Sequence, residues 1–272
     1  MPLLIITVAC LVFVGWLLAQ PWLTARRRRR WQSQPFPEAW RDILRRRVPY
    51  VRALPADLQL QLKKHIQVFV AEKAFIGCAG LLITDDVRIT IAAQACLLIL
   101  NRPTDYYPKL RQVLVYPSAF LVDRLQRDDS GVQQDQRQAL SGESWSQGQV
   151  ILSWDDTLEG AAVVNDAQNV VIHEFAHQLD SETGDANGAP LLIGRQRYER
   201  WSRTMHDEFA RLQHRARHQQ PSLLNHYGAT NPAEFFAVAS ETFFERPAEL
   251  ADQHPALYGE LCDFYRVDPL SW

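Results

Sequence analysis

Two histidines four residues apart, with a glutamate directly after the first, constrain this chain more than any other stretch: His173-Glu174-Phe175-Ala176-His177. On a helix, side chains at i and i+4 project from one face, one turn apart. Two imidazoles so placed can bind one zinc ion. Glu174 then lies beside the metal, within reach of a proton on a water held there. The run Asn169-Val170-Val171-Ile172 and the later Leu179 supply an apolar face. This pattern predicts a helix from about Asp166 to Asp180, before Gly184 and Asn187-Gly188 break it. The plain alternative is a buried helix with two hydrogen-bonded histidines.

A catalytic zinc site takes three protein ligands and keeps one position open for water. The third ligand is expected from another element, and Tyr227 to Glu241 holds two candidates. Asn231 followed by Pro232 reads as a helix start, with Asn as N-cap and Pro at the first helical position. Glu234 falls at the third position. There it is either a capping-box glutamate or a zinc carboxylate from a second helix packed across the first. Glu241 lies two turns further along the same face. It is either the ligand itself or the acceptor for a ligand histidine's second N–H. The residues alone leave the choice between Glu234 and Glu241 open.

Tyr227, Gly228, Thr230, Asn231 and Ala233-Glu234-Phe235-Phe236-Ala237, downstream of the two histidines, resemble the zinc core of anthrax lethal factor. A wider stretch is similar to the bacterial Mlc titration factor family. That family shares a helix ending in Leu-Asp, as in Leu179-Asp180, and a downstream Ser240-Glu241-Thr242-Phe243-Phe244. Val115-Tyr116-Pro117 and Ser141-Gly142, with Ser144-Trp145, also resemble it. The resemblance covers roughly residues 35–270. It implies a gluzincin-like peptidase fold with His173, His177 and Glu234 as zinc ligands, Glu174 as base and Tyr227 near the site. It also implies a partner, a transcriptional repressor such as Mlc. The apolar N-terminus departs from the soluble members of that family.

Other residues carry two readings each. Asp180 lies seven after His173 and either orients a ligand imidazole or meets solvent at a helix end. Tyr227 either donates to the oxyanion of a tetrahedral intermediate or packs ordinarily. His214 and His218 form a second i, i+4 pair, but in a polar stretch without an intervening glutamate, and read as helix surface. No Gly-x-Ser-x-Gly elbow, phosphate-binding Gly-Lys loop or dinucleotide-binding glycine set occurs.

The net charge of −2 gives no case for direct nucleic-acid binding. Cysteines at 10, 78, 96 and 262 form no Cys-x-x-Cys pair, which fits reduced thiols in a cytoplasmic body. Leu3 to Ala19 is charge-free and apolar, and Arg26 to Arg30 follow. About 20 such residues reach across the roughly 30 Å of membrane hydrocarbon. Charge after the run rather than before it argues for an anchor instead of a cleaved leader. These features predict a transmembrane anchor over 1–23, a basic juxtamembrane linker over 24–37 and a metallopeptidase domain over 38–272. The positive-inside rule then places the chain as a single-pass inner-membrane protein with its body facing the cytoplasm. Arg41, Arg45, Arg46, Arg47 and Arg52 extend the basic stretch toward anionic lipid.

Elsewhere, helices are predicted over Pro55–Ala74, over Val87–Leu100 behind a Thr84 cap, over Arg195–Arg217 and over Ala256–Val267. Strands are predicted over Gln112–Tyr116 and Gln149–Trp154, with turns at Gly142 and Gly148 and a polar loop over Gln126–Gln138. The class is α+β, helix-rich and zincin-like, with a small sheet whose Gln149–Ser153 edge is suited to hold an extended peptide. The chain reads as a Zn²⁺-dependent peptidase acting on a peptide or protein, with aminopeptidase action in a regulatory role as one form. The alternative is a zinc-stabilised binding protein that sequesters a repressor.

Overall fold

The computed structural model describes residues 2–118, 148–192 and 194–272. The expected loop over 126–138, the turn at Gly142 and the Ser141 to Trp145 segment lie outside them.

The chain starts with α1 (Pro2–Gln32), α2 (Glu38–Arg47), α3 (Ala56–Glu72) and strand β1 (Ala74–Gly77). Helix α4 (Asp85–Leu97), β2 (Gln112–Tyr116) and β3 (Gln149–Ser153) follow. The rest is helical: α5 (Trp154–Ala162), α6 (Val170–Asp180), α7 (Arg195–Arg217), α8 (Pro232–Glu245), α9 (Pro247–Gln253) and α10 (Pro255–Tyr265). The class is therefore helix-rich with a small sheet, as expected. The three strands run parallel in the order β1-β2-β3, with Phe75 beside Val113 and Val113 beside Val150. Parallel neighbours need a crossover, and α4 supplies the one between β1 and β2. Strand β1 was not legible because four residues offer too little alternation to separate from the end of α3.

Helix α4 is buried on nearly every face and packs against α2, α3, α5 and α6. A helix apolar all round is stable only inside a core. Thr84 sits at its N-cap position, but its side chain makes no cap bond. Strand β3 stops at Ser153 because the Ser153 hydroxyl accepts from Asp156 N and starts α5 there. Helix α6 begins at Val170, later than the predicted Asp166, because the Asn169 side chain caps it through Ile172 N at 3.0 Å.

The N-terminus needs the largest correction. Among the described residues no helix is long and apolar enough to cross a membrane, so the anchor expected over 1–23 is not supported. The stretch expected as a basic linker over 24–37 is helical as far as Gln32. Helix α1 continues through all five arginines to Gln32, and its last turns dock on the body. Arg28 grips both oxygens of Glu72 at 2.8 and 2.9 Å and reaches Asp105. Gln32 donates to the Tyr106 hydroxyl at 2.9 Å. Partners on α3 and on the 104–106 loop thus stabilise helix where composition alone suggests a tether. Arg46 and Arg47 pair with Asp86 and Arg45 with Asp42, so these arginines are partly neutralised within the fold.

Candidate metal centre

Helices α6 and α8 pack against each other, and their facing sides carry the chemistry. Asn231 accepts from Glu234 N at 3.0 Å and Pro232 opens the first turn, so α8 starts as its sequence dictates. The Glu234 carboxylate, however, does not fold back to complete a capping box. It turns across to α6 and stands 3.0 Å from His173 Nε2 and 3.4 Å from His177 Nε2. The two Nε2 atoms are 3.2 Å apart. Zinc ligands at about 2.0–2.1 Å in tetrahedral array lie about 3.3 Å from one another. The three donor atoms therefore have the spacing one ion needs. Among the described residues this is the one group of three or more His, Cys, Asp or Glu able to hold a metal.

Glu241 resolves differently from Glu234. Its Oε1 lies 2.8 Å from His173 Nδ1, on the far side of the imidazole from the donor cluster, and its Oε2 accepts from Asn169 N at 2.6 Å. A carboxylate there fixes the proton on Nδ1 and leaves Nε2 with its lone pair toward a metal. Glu241 thus orients a candidate ligand and is not placed as one.

The site's electrostatics follow from burial and crowding. Burial holds His177 down at about 4. Burial also works against a charged His173, but Glu241, Glu234 and the nearby Glu174 outweigh it and push His173 well up. Burial alone would raise Glu234, yet the two histidines outweigh it and hold that carboxyl at about 2. The metal-free trio therefore keeps its proton on His173, and a metal must displace it.

Glu174 is buried on α6 between the two histidines. Tyr227 lies in the 3-10 turn His226–Ala229, which Asn225 caps through Tyr227 N at 2.9 Å. Its ring centroid is 5.9 Å from that of His173, so it borders the site and remains partly exposed. His214 on α7 and His218 at its C-cap stack on each other as exposed residues, and neither belongs to the trio.

Asp180 corrects both of its expected readings. It is fully buried and meets neither an imidazole nor solvent; its Oδ2 accepts from Gly188 N at 2.7 Å. Burial pushes its carboxyl up to about 6, with N–H groups of residues 187–189 pulling the other way. Gly188 in turn accepts from Trp201 Nε1 at 3.0 Å and sits with φ at +77° against Pro232. The carboxylate thereby ties the end of α6 to the start of α8, just before Glu234. Sequence reading missed Asn169 as the cap and its partners Gln94 and Glu245. The available signal was the Asn directly before an apolar run.

Comparison with known proteins bears on the chain as a whole. The model of the family described as glucose-regulated metallo-peptidase M90 matches residues 22–266. A Synechocystis sp. protein is 39% identical over 272 residues, covering 99% of this chain and 98% of its own length. Mlc titration factor A of Klebsiella pneumoniae subsp. pneumoniae is 35% identical over 229 residues, 82% of this chain and 84% of that protein. Mlc titration factor A of Enterobacter sp. is 33% identical over 250 residues, 89% of this chain and 92% of that protein.

Proposed function

The chain belongs to the glucose-regulated metallo-peptidase M90 family, and from that premise we propose that it is a zinc-dependent peptidase of gluzincin type. His173, His177 and Glu234 hold the metal. The observation that carries this reading is their convergence at 3.0–3.4 Å from two separate helices. Zinc, when bound there, supplies Lewis acidity and lowers the pKa of a coordinated water.

The chain's own residues do the rest. Glu241 keeps the His173 imidazole turned with Nε2 toward the site. Glu174 takes the proton of the attacking water and returns it to the leaving amine. Tyr227 borders the site where a phenol can donate to the oxyanion of the tetrahedral intermediate. Strand β3 packs against α6, and among the described residues it pairs only with β2. Its other edge is suited to an extended peptide substrate through main-chain hydrogen bonds. The four free cysteines support a cytoplasmic setting for the body.

A second reading rests on the relatives' name. Those relatives are named Mlc titration factor A; on that reading this chain would sequester a repressor such as Mlc, with the metal serving as scaffold. The two readings part on turnover. The full chain, purified and assayed against a mixed peptide library, should hydrolyse peptides, lose this with a chelator and regain it with zinc. A chain carrying one zinc and turning over no peptide would reject the peptidase reading.

A further inference from the structure

We propose that Asn169 is a positioning residue for the candidate ligand His173, acting through Glu241. The proposal rests on the zinc-peptidase reading and assigns a role outside the metal trio and its base. Asn169 is 1% exposed, and every one of its polar atoms is engaged. Its N–H donates to Glu241 Oε2 at 2.6 Å, and its carbonyl accepts from His173 N at 2.9 Å. Its Oδ1 caps α6 through Ile172 N, and the two protons on its Nδ2 are shared among three acceptors: Gln94 Oε1 and Gly160 O at 2.9 Å, and Glu245 Oε1 at 3.0 Å. These acceptors sit on α4, α5 and α8.

The geometry gives this residue its reach. Glu241 spans the first turn of α6, with one oxygen on the Asn169 N–H and the other on His173 Nδ1. Its carboxylate plane is therefore set by where the Asn169 backbone lies. That position is fixed in turn by the side chain, which fastens the start of α6 to three other helices. Gly160 makes the fit possible: a Cβ there would lie 3.1 Å from both Cα and Cγ of Asn169. Losing the anchor leaves the trio's residues intact but lets Glu241, and with it the imidazole, swing. Groups that orient a metal-ligating histidine typically contribute 10–100-fold in metal affinity.

The test is a zinc dissociation constant, read by chelator competition on folded full-length protein. Asn169→Ala should weaken zinc binding by about 10–100-fold. Ser153→Ala, which removes the cap of α5 instead, should leave it within about twofold and so controls for a lost helix cap. Because Asn169 acts through Glu241, Asn169→Ala should add little in a Glu241→Gln background. Should Asn169→Ala not fold, Gly160→Ala displaces the same residue without removing a polar group. It should weaken zinc several-fold, again non-additively with Glu241→Gln. Zinc affinity unchanged in these variants, or losses that add in full to that of Glu241→Gln, overturn the proposal alone. A wild-type chain that binds no zinc overturns it together with the peptidase reading.

Discussion

Replacing Glu234 and Glu241 in turn separates holding a metal from orienting its ligand. Glu234 Oε2 is one of three atoms spaced 3.0–3.4 Å apart, whereas Glu241 reaches only the Nδ1 side of His173. Zinc sites bind with about 10–16 kcal/mol, which over four ligands is about 2.5–4 kcal/mol each. Glu234→Ala should therefore weaken zinc by about 10²–10³-fold at neutral pH. Glu241→Ala removes an orienting acceptor and should cost less, about 10–100-fold. Both carboxylates are buried, and removing either relieves desolvation, so folding should survive in each variant. Isothermal titration or chelator competition on the two variants and wild type reads the order directly. Equal affinities of Glu234→Ala and wild type, or a larger loss in Glu241→Ala, would refute the ligand assignment.

Two further outcomes follow from residues outside the metal trio. Burial holds His65 down at about 4, against an ordinary 6.5. The unfolded chain takes up that proton first, so stability is whole above about 6.5 and falls as pH drops toward 4, by up to about 3 kcal/mol. Denaturant midpoints across pH 4–7 should show a shallower decline in His65→Gln, and identical declines would contradict this. Gly188→Ala forces a left-handed φ of +77° on alanine and sets its Cβ 2.5 Å from Pro232 O. The combined strain is about 2–4 kcal/mol, or roughly 4–16 °C in Tm by calorimetry, and an unchanged Tm would show the Asp180–Gly188 tie to be loose.

The centre of this molecule was legible because its residues obey local rules. The i, i+4 histidines need a helix and Asn231-Pro232 starts the next one; both elements form, the first of them starting at Val170 rather than Asp166. What sequence left open was tertiary. Glu234 and Glu241 share one helix face, and only the crossing of α6 and α8 decides which meets Nε2 and which meets Nδ1. Asp180 looked amphibious between metal and solvent until the fold brought Gly188 to it from a loop eight residues on. The end of α1 looked like a linker because its charge suits water. Glu72, Asp105 and Tyr106, distant in sequence, turn it into a docked helix. Parallel pairing of short strands is equally invisible to periodicity.

The central claim is that Glu174 serves as a base beside a metal held by its neighbours. Glu174→Gln keeps the side chain's size and most of its hydrogen bonding but removes the proton acceptor. General-base catalysis typically contributes about 10²–10⁴-fold, so kcat for peptide hydrolysis should fall at least 100-fold or so while zinc content and Tm stay at wild-type values. Hydrolysis at the wild-type rate by Glu174→Gln, at equal zinc content, would contradict the account.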